Sequence, residues 1–206
     1  MDTRREAEQE RGELADLLDV LSEEQWAAPS LCEAWTVRQV VAHVVSYDEL
    51  SLKQLARRAV RAGFSPDGMN ALGVEEYGRC SPAELTSFLH GHLRPSGLAS
   101  GMGGAIGLVD ALIHQQDIRR PLGMPREIPD ERLRFALGMA LRAPVIRGFW
   151  NARGVRLAAE DLSWAHGKGP EARGAGEAVL MTLAGRRGVA SELSGPGAEV
   201  LSRRLG

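Results

Sequence analysis

Apolar residues recur at helical spacing through most of the first 150 positions. Leu14, Leu17, Leu18 and Leu21 predict a helix over 4–20 behind a strongly charged first half. Ser22-Glu-Glu-Gln25 has the form of a capping box and opens a short helical turn carrying Trp26. A loop over 28–35 follows. Thr36 and Gln39 then form a second box, and Val37, Val40, Val41 and Val44 make an apolar arc. That helix is expected to run to about Ala62, where Gly63 and Pro66 stop it. Residues 63–80 contain glycines and read as irregular. Ser81-Pro-Ala-Glu84 is a third box with proline at the first helical position, so a helix starts there and ends before Pro95. A loop rich in glycine and serine spans 97–104. The next helix covers about 104–120 and is stopped by Pro121 and Gly123. Another runs from Pro129 to about Phe149.

The pattern then changes. Val155, Leu157 and Ala159 alternate, which predicts a strand over 155–164. Residues 167–176 read as a glycine-rich turn with room for a short strand. A helix is expected over Gly176–Arg186, and a short one in the last ten residues. The reading is mainly α: an up-down helical bundle over 1–152 and a small α/β domain over 153–206, with no internal repeat.

Composition narrows the function classes. A net charge of −2 over 206 residues argues against a general nucleic-acid binder. No apolar run is read as approaching the roughly 18 residues of a membrane span, and the first residues lack the apolar core of a secretory signal. Cys32 and Cys80 make neither a disulfide framework nor a metal-type pair, so a cytoplasmic setting is expected. Lysine occurs only at Lys53 and Lys168 among 25 basic residues, so an anionic ligand would meet guanidinium groups.

Candidate chemistry concentrates in Asp110-Ala-Leu-Ile-His114-Gln-Gln-Asp117. Four residues is just over one helical turn, so Asp110 and His114 share a face, with Gly107 and Ala111 leaving it open. His43, at the edge of the arc on the 36–62 helix, offers a third ligand. Three protein ligands with an open fourth position describe a catalytic metal site. The alternatives are a partly buried histidine bonded to backbone and an acidic face with Asp117 paired to Arg120. Asp117 also stands where it could orient His114 through its second nitrogen. His90 and His92 read as surface or capping residues. His166 has no supporting spacing, and both cysteines read as structural or incidental.

Two stretches together carry a resemblance. Pro29-Ser-Leu-Cys-Glu-Ala-Trp-Thr-Val-Arg-Gln-Val-Val-Ala-His43 is similar to the N-terminal motif of the mycothiol-dependent maleylpyruvate isomerase family, within the DinB-like superfamily. Asp110-x3-His114-Gln-Gln-Asp-Ile-Arg-Arg-Pro-Leu-Gly resembles that family's second motif. The segment from Trp164 through Arg186 resembles its small C-terminal domain.

The resemblance implies a DinB-like bundle holding one divalent metal, usually taken as zinc, on His43, Asp110 and His114. Aspartate stands at 110 where the family often has glutamate. It further implies mycothiol at the open position as a thiolate, since only the thiolate attacks well. The expected reaction is isomerisation or S-transfer on an electrophilic small molecule. Asp117 and Arg173 are the expected catalytic residues, and Arg119, Arg120 and Arg186 the expected cofactor-binding ones. The expected partners are a small-molecule substrate and a low-molecular-weight thiol, with no nucleic acid and no membrane, in a monomer or homodimer. A metal-dependent hydrolase with Asp117 as base, and a non-enzymatic binding protein, are the alternatives.

Overall fold

Side-chain caps decide where the first helices begin. In the computed structural model, which describes residues 1–32 and 35–206, Asp2 caps α1 (Thr3–Asp19). Ser22 and Gln25 cap each other's backbone groups at α2 (Glu23–Ala27). Thr36 and Gln39 do the same at α3 (Val37–Val45), and Ser81 and Glu84 at α6 (Pro82–Gly91). All three expected capping boxes form. Glu33 and Ala34 of the loop before α3 lie outside the described residues.

The single helix expected over 36–62 is two. The Ser46 hydroxyl donates to the His43 carbonyl at 2.9 Å, and the Asp48 carboxylate is drawn into an ion pair with Arg11 of α1 at 2.5 Å. The chain turns there, and Ser51 with Gln54 opens α4 (Leu52–Arg61) through a further capping box. Residues 63–80 are likewise not irregular. Ser65 caps α5 (Pro66–Tyr77), with Pro66 at its first turn, so the proline expected to end one helix begins another.

Contacts divide the chain into two units, Met1–Pro125 and Arg126–Gly206. In the first, α1 and α3 each pack on both α6 and α7 (Ala105–Arg119), a four-helix arrangement with α5 against α3. Leu14, Leu18, Val41, Val45, Leu89 and Ile118 fill its centre. Arg11, 1% exposed, also donates to the His92 carbonyl at 2.9 Å, tying α1 to the end of α6 as well as to Asp48. A 3-10 stretch, Gly97–Gly104, leads into α7 through a kink at Gly101–Gly103. Together Gly97–Arg119 is long and apolar enough, by length and composition, to cross a membrane. That corrects the expectation that no segment reaches that size, although 56% of its most apolar window is buried inside the protein.

The second unit holds α8 (Asp130–Arg142), α9 (Gly148–Ala152), β1 (Arg156–Ala159), β2 (Trp164–His166), β3 (Glu171–Gly174), α10 (Gly176–Leu183) and α11 (Pro196–Leu205). The strand expected over 155–164 is the β1–β2 antiparallel pair, with Leu157 opposite His166. β3 runs parallel to β1, in the order β2-β1-β3. The helix expected to reach Phe149 ends at Arg142, just before Pro144. Because α8 and α9 both pack on α10, the compact units divide at Pro125 rather than near residue 152, where the secondary structure changes character.

Candidate metal centre

On α7 the residues at 110, 114 and 117 fall within one narrow stripe, since steps of four and three residues bracket a helical turn. α3 packs against that stripe and presents His43, which is 5% exposed. The edge of the α3 arc is therefore a buried position in the folded chain. His43 Nε2 lies 3.5 Å from Asp110 Oδ1, and His114 Nε2 lies 3.6 Å from the same oxygen. The two rings stand edge-on, 4.8 Å apart and inclined at 73°. A tetrahedral zinc with bonds of about 2.0–2.1 Å separates its ligand atoms by about 3.3–3.4 Å. Each histidine nitrogen is thus near that separation from Asp110, and the ligand atoms of the three residues all lie within 4.8 Å of one another. One-third of the Asp110 side chain remains exposed, so the cluster opens to solvent on that side.

The far side of His114 is held. Its Nδ1 lies 2.8 Å from Asp117 Oδ2, and Asp117 is fully buried. With Nδ1–H donating to that carboxylate, Nε2 is the nitrogen turned toward His43 and Asp110. Trp35, in the loop before α3, sets its ring 5.1 Å from the His43 ring, and Tyr47 meets it edge-on at 5.8 Å. Leaving the apolar flank of His43 to these rings reduces the positions it can sample.

Charge is concentrated here. Burial alone pulls the His114 imidazole down, but the Asp110 carboxylate and the hydrogen bond to Asp117 outweigh it and push it up to about 10. Burial alone pulls Asp110 up, yet the His114 and His43 rings outweigh it and hold the carboxyl below its usual range. In the metal-free chain a proton therefore occupies the cationic position.

Several expectations change. Gly107 does not open the ligand face: a Cβ there would meet the Ala99 carbonyl at 2.9 Å and Pro95 at 3.0 Å, so its smallness serves packing. Asp117 is bonded to His114, three residues before it on the same helix. The Arg119 guanidinium donates to Gln115 Oε1 at 2.8 Å and to the Met124 carbonyl at 3.4 Å. Nine residues past Asp110, it leaves α7 on the opposite side from the ligands. Arg120 follows at the end of α7. Arg173, on β3, is half-exposed and 4.0 Å from Glu171, and Arg186, after α10, donates to the Ala184 carbonyl at 3.0 Å; both belong to the second unit. His90 pairs with Asp19 and His92 stacks on Phe88, away from the cluster. Of the two expectations for Cys32, structural or incidental, the structural one fits: its Sγ lies 3.2 Å from Asp117 Oδ2 and 3.9 Å from His114 Nδ1. Eighty-five residues separate Cys32 from Asp117, so no spacing in the sequence marks the pair.

Comparison with known proteins agrees with this reading of the fold. Residues 7–95 match the family described as mycothiol maleylpyruvate isomerase N-terminal domain. A crystal structure of a mycothiol-dependent maleylpyruvate isomerase superposes with a TM-score of 0.63 at 17% identity, covering 95% of this chain and 92% of that one. A histidine-to-alanine mutant of such an isomerase superposes equally well at 18% identity, with the same coverage. No curated protein sequence matches the chain. The resemblance read from the two motifs is borne out, as is the mainly helical class with a small C-terminal sheet.

Proposed function

We propose that this chain, whose residues 7–95 match the N-terminal domain of the mycothiol maleylpyruvate isomerases, is a metal-dependent enzyme that works through a low-molecular-weight thiol, mycothiol. The observation that carries the proposal is the gathering of His43, Asp110 and His114, with both imidazole Nε2 atoms 3.5–3.6 Å from Asp110 Oδ1, beside an opening to solvent. These three residues would hold the ion, taken as zinc. When bound, a divalent ion on two imidazoles and one carboxylate keeps positive charge and lowers the pKa of a thiol that joins it.

The chain's own groups prepare that chemistry. Asp117 fixes the His114 tautomer so that Nε2 faces the opening. Trp35 and Tyr47 hold the His43 ring on its other faces. The exposed flank of Asp110 leaves one side for an incoming ligand. The reaction class is attack of a thiolate on an electrophilic small molecule, giving isomerisation when the thiol is expelled again and S-transfer when the thioether persists. Arg120, at the end of α7, remains the proposed holder of a substrate carboxylate. Arg119 and Arg186 are bonded elsewhere and are not assigned that role.

Hydrolysis with Asp117 as base is the weaker reading. The Asp117 oxygen is shared by His114 and Cys32 behind the imidazole, on the side away from the open position. Titrating mycothiol into cobalt-substituted protein tests the choice. A sulfur-to-cobalt charge-transfer band that saturates with thiol is the expected result. A cobalt spectrum unchanged at saturating thiol refutes thiol ligation.

A further inference from the structure

We infer that Cys32 is a positioning residue for His114, acting through Asp117; the inference rests on the metal-site reading above. Two donors meet at one oxygen. The Cys32 thiol donates to Asp117 Oδ2 at 3.2 Å, and His114 Nδ1–H donates to the same atom at 2.8 Å. Asp117 is fully buried, so bulk water does not compete for that oxygen, and both bonds go to a charged acceptor.

The loop between α2 and α3 brings the sulfur there by several bonds that do not involve the thiol. Leu31 N–H donates to the Asp117 carbonyl at 3.0 Å. Cys32 N–H donates to Ser30 Oγ at 3.1 Å, and Trp35 N–H to the Cys32 carbonyl at 2.7 Å. The same loop carries Trp35, whose ring lies against His43. One connection between helices therefore touches both histidines of the cluster, from α3 on one side and α7 on the other.

The sulfur lies on the Nδ1 side of His114, 3.9 Å from that nitrogen, and an ion held by Nε2 is on the opposite edge of the ring. Cys32 is thus placed to fix the carboxylate, not to join the ligand set. With both donors in place, Asp117 Oδ2 is held from two directions. Removing the thiol takes one of two hydrogen bonds from Oδ2 and so changes the acceptor that His114 Nδ1–H meets. Metal affinity falls as the ring loses its fixed orientation.

The test is zinc affinity by competition with a chromophoric chelator, together with imidazole nitrogen NMR of the metal-free full chain. Cys32→Ala is expected to weaken zinc binding by about tenfold, the lower end of the range for outer partners of metal ligands. Cys32→Ser, which keeps a hydroxyl donor, recovers part of that loss. Cys80→Ser, whose sulfur packs on the core cluster, binds zinc as the unaltered chain does. The His114 Nδ1 resonance moves in Cys32→Ala and stays in place in Cys80→Ser. Cys32→Val, which fills the space without a donor, repeats the loss should the smaller variant not fold. An unmoved His114 resonance, or an unchanged affinity where the unaltered chain binds zinc, overturns the inference. If the unaltered chain binds no zinc, the metal reading falls instead, and the resonance alone decides whether Cys32 orients His114.

Discussion

Metal should bind this site more tightly as pH rises, because an ion and a proton compete for His114 Nε2. In the metal-free chain that imidazole is pushed up to about 10 by Asp110 and Asp117 against its burial. Its ordinary value is about 6.5. A group raised on folding stabilises the folded chain fully below its unfolded value and loses that contribution as pH climbs to the folded value. The metal-free protein should therefore weaken progressively above about pH 6.5 and on toward pH 10. The loaded protein, with Nε2 occupied by metal, carries no such proton and should not. One proton per site corresponds to about 1.4 kcal/mol per pH unit, a tenfold change in apparent affinity. For a chain of this size that is about 3–5 °C in Tm per pH unit. The assay compares thermal unfolding of zinc-loaded and chelator-treated protein at intervals from pH 6.5 to 8.5. The zinc-induced rise in Tm should widen steadily across the range. A rise that stays constant with pH would show that no proton is displaced from His114, and the electrostatic account of the site would be wrong.

Two substitutions extend the same reasoning. Asp117→Asn removes the charged acceptor of His114 Nδ1–H and should cost about 10- to 100-fold in zinc affinity by chelator competition, with the helical circular dichroism unchanged. Arg11→Ala leaves Asp48 as a buried carboxylate without its guanidinium and should destabilise the first unit by about 3–5 kcal/mol in urea unfolding, while a loss under 1 kcal/mol would mean the pair is solvated.

Much of the candidate cluster was legible because it is written in helical spacing. Asp110, His114 and Asp117 lie within two turns of one helix, so their common face follows from the sequence, and the second role weighed for Asp117, orienting His114, is the one its geometry fits. His43 was harder to place, since its depth depends on how α3 packs against α7. The capping boxes at Ser22, Thr36 and Ser81 form as written because each is a local bargain between two side chains and two backbone groups. The break at residues 46–51 had the same kind of signal in Ser51 and Gln54, masked by apolar residues that continue the helical pattern. Ser65-Pro66 opens α5 with the pairing that was read correctly at Ser81-Pro82. What could not be read was tertiary. Asp48 turns the chain because Arg11 arrives from another helix, Gly107 is small because Pro95 and Ala99 press on it, and Cys32 matters because a loop docks on α7. Arg119 shows the converse: a charge adjacent in sequence to the site that helical rotation directs away from it.

The central claim is that His43, Asp110 and His114 hold one divalent ion. Elemental analysis of protein purified without chelator addresses it directly, set beside the His43→Ala variant. The account predicts one equivalent of divalent metal per unaltered chain and next to none in the variant. Unaltered chain free of metal, or a variant that retains the full equivalent, would contradict it.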